Sequence, residues 1–271
     1  MPATDGYHGF SQSPWSAIGD WLAPPDADPF HPTPRSGCGA ASLRGTVSLP
    51  AEPTPDGLPA CLGFISRPTP RLRQVIERQE ASLPPSDFAE LLASVRSLFE
   101  KFTARLLSAP AGLERGRVLH ALTEQTMSVA AQIPVSCCRG CSGCCHYEIE
   151  ITGDEAAILA AVVRGGYPAD MERLRTQAGR ERKAAEWLDV LRPDNRCVFL
   201  GIDGACQIYE HRPSACRRHL VTSPAEACTQ PGQPVAPVEI LTTEILLSAA
   251  LSAEGTRFAS LSKMLLAALQ A

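Results

Sequence analysis

Residues 137–145 read Cys137-Cys138-Arg139-Gly140-Cys141-Ser142-Gly143-Cys144-Cys145, and five of the chain's eleven cysteines fall in these nine positions. A thiolate is a soft metal ligand, and crowding several electron-rich sulfurs gains nothing unless something binds them. Cys138-x2-Cys141-x2-Cys144 offers three sulfurs from one loop, because two intervening residues let the chain turn both side chains toward one centre. Gly140 and Gly143 suit the positive φ angles of a loop that wraps an ion. Arg139 adds a charge of the opposite sign. Three loop thiols need a fourth. Cys145 directly follows Cys144, and neighbouring side chains diverge, so either one of the pair ligates or the two serve different centres.

Four more cysteines follow at Cys197, Cys206, Cys216 and Cys228. Asp203-Gly204 is a turn pair between apolar flanks, which predicts a small hairpin bringing Cys197 and Cys206 together. The candidate metal ligands are therefore Cys138, Cys141, Cys144, Cys145, Cys197, Cys206, Cys216 and Cys228. Eight thiols fill two four-coordinate sites, or one site with a redox or protective remainder. Cys137 ranks as the weakest ligand candidate of the first cluster. His146, His211 and His219 are secondary candidates. Arg212 and Arg217, with Arg218, flank Cys216; they either neutralise the thiolates and bond loop carbonyls or hold an anionic group beside the metal.

Composition narrows the partners. The 271 residues carry 25 Lys and Arg against 29 Asp and Glu, a net charge of −4. That balance argues against nucleic acid as the main partner, since phosphate recognition needs a basic surface. No apolar run approaches the roughly 20 residues that span a bilayer, so no membrane partner is expected. The start, MPATDGYHGF, lacks the basic and apolar regions of a secretory signal. The expectation is a cytoplasmic chain, where clustered thiols point to metal or redox chemistry rather than a disulfide frame.

Residues 1–85 hold fifteen of the twenty-four prolines and read as a largely disordered leader. Trp15, Trp21, Phe30 and Phe64 are its docking candidates, and Cys38 and Cys61 its spare thiols. One short helix is expected at 72–80, with Leu72, Val75 and Ile76 on one side. From 86 onward the pattern is helical. Ser86 is the expected cap of a helix whose apolar stripe runs Phe88, Leu91, Leu92, Val95, Leu98, Phe99 and Phe102. A second helix covers about 112–132. Residues 146–151 alternate as a short strand, and Thr152-Gly153-Asp154-Glu155 is a capping box opening the next helix. Further helices are expected at 168–191, 238–251 and 256–269. The fold class is mainly α: a bundle-like helical shell at 86–271 around a loop-rich cysteine module at 134–230, with one or two short strands.

The string CxxCxxCC at 138–145, then CxFL…GxCxIYxxRPxxCRxH at 197–219 and Cys228, resembles the CxxCxxCC (YkgJ-type) cysteine-cluster family. The resemblance implies a bacterial zinc- or iron-chelating domain over about 134–230. Cys137 is additional to its pattern. Three readings follow. The first is a module holding an iron–sulfur cluster, 4Fe–4S by its x2-x2 spacing, or zinc, in a structural or electron-transfer role. The second is a cluster-dependent modifying or redox enzyme with an anion site at 212–218. The third is a zinc-stabilised adaptor that meets a protein partner through the leader.

Overall fold

Residues 59–189, 192–230 and 233–271 are described in the computed structural model. The element order is α1 (Pro70–Ser82), α2 (Pro85–Leu107), α3 (Leu113–Met127), β1 (Glu150–Thr152), α4 (Gly153–Arg164), α5 (Met171–Ala178), α6 (Ser214–Arg217), α7 (Leu241–Ser252), β2 (Phe258–Ser260) and α8 (Leu261–Gln270). The class is mainly α, as expected. No helix among the described residues is long and apolar enough to cross a membrane.

Two apolar cores organise the chain. The first joins α1, α2, α3 and α7 through Leu72, Ile76, Leu91, Phe102, Leu119 and Leu246. Although α7 comes late in sequence, it is the central helix of this group: every residue from Thr243 to Ala250 is buried. The second core joins β1, α4, α5 and α8 to the cysteine module through Ile151, Leu159, Leu174, Phe199, Ile208 and Leu265. The two cores meet where α3 crosses α4. Gly116 allows that crossing, because a Cβ there would stand 2.5 Å from the Asp154 carbonyl oxygen. The Asp154 carboxylate in turn accepts from Gly112 N–H at 2.6 Å.

Several expectations shift. The chain is part of the fold from Pro59 on, not from residue 86: Leu62, Ile65, Leu72 and Ile76 are buried in the first core. Phe64 docks edge-on to Phe99, with centroids 5.9 Å apart, and Cys61 remains a free thiol. The rest of the expected leader, with Trp15, Trp21, Phe30 and Cys38, lies outside the described residues. The prolines here start helices rather than forbid them. Pro70 and Pro85 occupy first-turn positions, where a missing N–H costs nothing. Ser86 consequently lies inside α2 and bonds Asp87 rather than capping.

The helix expected over 168–191 stops at Ala178; Gly179 ends it, and a 3₁₀ turn follows at Ala185–Leu188. The last helix starts at Leu261, because Phe258–Ser260 pairs as β2 with β1 in antiparallel register, Ile151 opposite Ala259. The capping box stands as read: Thr152 Oγ1 accepts from Glu155 N–H at 3.2 Å, and Glu155 Oε2 accepts from Thr152 N–H at 3.1 Å.

Candidate metal centre

The 137–145 stretch is a turn followed by one 3₁₀ turn at Gly143–His146. Gly140 sits at φ +92°, and Cys141 N–H closes onto the Cys138 carbonyl at 3.1 Å. The distal segment is tied to this loop by Cys197 N–H donating to the Cys145 carbonyl at 2.7 Å. The expected hairpin forms: Leu200 and Cys206 bridge antiparallel, and Gly204 takes φ +75° at the turn. Cys216 arrives on α6.

Six of the eight predicted ligands, Cys141, Cys144, Cys145, Cys197, Cys206 and Cys216, line one cavity of about 70 Å³. That is several times the roughly 10–15 Å³ needed to seat one water. Arg212 lines it too, and Ile149, Phe199 and Ile208 form apolar walls. Among the described residues, no three His, Cys, Asp or Glu side chains already stand grouped as a single-ion site; the sulfurs surround a space instead. Each can be re-aimed by its single χ1 rotation.

Burial pushes the Cys197 thiol up to about 12 and Cys216 well above its ordinary value, with neighbouring thiols adding to both. Cys144 and Cys145 share a hydrogen bond. It draws Cys144 down to about 7, helped by Arg212 and opposed by burial, and holds the proton on Cys145. One polarised sulfur among protonated neighbours is a donor set that metal binding must deprotonate further.

The other two predicted ligands lie elsewhere. Cys138 is disulfide-bonded and does not line the cavity. Cys228 is buried on the far side of the loop, packed against Gly143. Of Arg212, Arg217 and Arg218, Arg212 alone lines the cavity; its guanidinium stacks 3.7 Å over the Tyr209 ring, and its Nε donates to the Tyr209 carbonyl. Arg217 is engaged by the Glu124 carboxylate and by the Arg212 and Glu210 carbonyls. Arg218 donates to both oxygens of Glu244 at 2.6 and 2.7 Å. His146 bonds the Ser142 carbonyl at 3.1 Å, and His211 stands edge-on to Tyr167.

Two buried glutamates position this module and were not singled out as site residues from sequence. Glu155 spends one oxygen on the α4 cap and the other on Ser214 N–H, 2.8 Å away, at the start of the helix that carries Cys216. Glu244, on α7, accepts from Thr69 Oγ1 at 2.7 Å while holding Arg218. An acid amid an apolar helix pattern was the available signal in each case. Its partner, 59 or 26 residues away along the chain, was not.

No curated protein and no solved structure matches the chain. Residues 137–231 match a family model named CxxCxxCC, whose description reads "Putative zinc- or iron-chelating domain". The segment that carries the cavity's cysteines is thus similar to this family, over about a third of the chain.

Proposed function

We propose that the domain holds an iron–sulfur cluster, bound by Cys197, Cys206, Cys216 and one sulfur of the Cys144–Cys145 pair, in a structural or electron-transfer role. The observation that carries this reading is that six cysteines line one cavity. A polynuclear cluster takes its thiolates at separated corners, whereas one zinc ion draws four to a single centre. The donor set fits: six sulfurs share the lining with Ile149, Phe199 and Ile208, and Arg212 offsets thiolate charge. A bound cluster would supply one-electron chemistry.

The test is anaerobic purification with a visible spectrum and iron, sulfide and zinc analysis. A brown protein with about four irons and four sulfides per chain, the 4Fe–4S stoichiometry, is expected. A colourless protein carrying only zinc overturns the cluster.

A second reading, a cluster-dependent enzyme, draws support from the cavity's continuation past the sulfurs to Glu148, Gln177 and Trp187. Trp187 Nε1 is buried there without a hydrogen-bond partner. Its test is Arg212→Gln with Trp187→Phe: retained cluster with lost small-anion binding supports it, and unchanged binding removes it. The adaptor reading depends on the leader 1–85, of which residues 1–58 lie outside the described residues.

A further inference from the structure

Outside the lining of the cysteine cavity, two arginines share one buried acid. Glu244, 2% exposed on α7, accepts from Arg218 Nη1 with both carboxylate oxygens, at 2.6 and 2.7 Å, and from Thr69 Oγ1 at 2.7 Å. Arg71 Nη1 approaches the same carboxylate only to 4.0 Å, too far for a hydrogen bond. Among the described residues no hydrogen bond takes up the Arg71 guanidinium, nor Nε and Nη2 of Arg218. Glu239, the other acid acting on Arg71, is held by Arg78. One carboxylate thus faces two guanidiniums, and a positive charge is left over. Burial and then the Arg218 charge pull the Arg71 guanidinium below its ordinary value, against Glu244 and Glu239. After burial, the same two arginines lower His219, whose Nε2 is buried without a hydrogen-bond partner. The helix adds to the excess: Arg71 stands in the first turn of α1, which holds no acidic residue, at the positive end of the dipole. The Arg71 and Arg218 side chains are 21% and 25% exposed, so an ion from solvent reaches them.

We propose that Arg71 and Arg218 form a binding site for a phosphate-type oxyanion. A guanidinium is a planar fork of donors that matches paired oxygens, and such charge-assisted bonds are about twice as strong as neutral ones. The unused N–H groups of the pair set the ligand class. A tetrahedral dianion offers oxygens to both forks at once, whereas a single carboxylate has only two. The site differs from the anion position expected at 212–218, because Arg212 lines the cysteine cavity and Arg217 is bonded to Glu124. It rests neither on the cluster nor on any metal.

The experiment titrates the full chain, as purified, with inorganic phosphate and separately with glycerol phosphate. Calorimetry in chloride buffer at constant ionic strength reads the binding, and metal content is measured before and after. One phosphate per chain is expected, with metal content constant. Arg71→Gln should weaken binding at least tenfold, while Arg117→Gln, on α3 and paired with Glu114, leaves it unchanged. Glycerol phosphate that binds as tightly supports a site for the phosphoryl group of an ester; binding of the free ion alone supports a site for inorganic phosphate. No binding above chloride, binding that Arg71→Gln leaves unchanged, equal loss in both variants, or heat that tracks loss of metal overturns the site. Should Arg71→Gln fail to fold, the unmodified chain still answers. Phosphate should raise its melting temperature to a plateau; no rise, or a rise that never saturates, overturns the proposal.

Discussion

At the scale of single residues, Glu155 ties the α4 cap to the start of the helix that carries Cys216. It is 3% exposed. Burial pushes its carboxyl upward, but the His120 side chain beside it and the Ser214 and Thr152 N–H groups outweigh that and hold it below the ordinary range. A depressed folded-state value means the stabilisation is complete above the unfolded value near 4.3 and is lost as pH falls through the folded one. Urea unfolding should therefore show a steep acid limb below about pH 4 that Glu155→Gln flattens; an unchanged limb would contradict this. Glu155→Ala at neutral pH should cost about 3 kcal/mol, since it strips charge-assisted acceptors from buried N–H groups. Gly143 gives the second residue-level expectation. Gly143→Ala places a methyl where Cys228 now sits, and should lower metal retention by the cysteine loop before it lowers helicity, read by chelator competition beside circular dichroism.

Among the elements, α1 and the 200–206 turn differ in how readable they were. The stripe of Leu72, Val75 and Ile76 was visible as helix periodicity, and all three are buried. What misled was proline: Pro68, Pro70, Pro84 and Pro85 resemble a broken leader when counted, yet proline at a first helical turn favours the helix. Leu72→Ala should destabilise the folded chain by about 2–5 kcal/mol in denaturant titration; a change within error would return α1 to the leader. The turn was legible because Asp203-Gly204 encodes it locally. Gly204 lies at φ +75°, so Gly204→Ala should cost about 1–2 kcal/mol locally and loosen Cys206, seen as faster loss of iron to a chelator. By contrast, β2 escaped reading: three residues, Phe258–Ser260, become a strand only because Ile151 is there to pair with.

For the molecule as a whole, folding and metal loading are linked. Burial and neighbouring thiols keep the Cys197 and Cys228 protons on up to about 12 and about 11. Each ligating thiol must lose its proton, so loading should weaken as pH falls and release protons as it proceeds. Calorimetric heats of zinc binding should scale with the ionisation enthalpy of the buffer; buffer-independent heats would refute this. Removing metal should lower the melting temperature, because free metal at a hundredfold over its dissociation constant adds about 2.7 kcal/mol to the folded state. The sequence by itself determined that this is a helical protein built round a thiol module, and which thiols were in play. Ligand chemistry, helical period and turn residues are local properties, readable over a few positions. Only the tertiary structure decided how the cysteines divide, six on one cavity and Cys137 with Cys228 behind the loop. The same holds for Glu155 and Glu244 as holders of the Cys216 segment and for Arg217 as one of its struts. Those assignments depend on side chains that meet across dozens of residues, and the packing of α3, α4 and α7 brings them together.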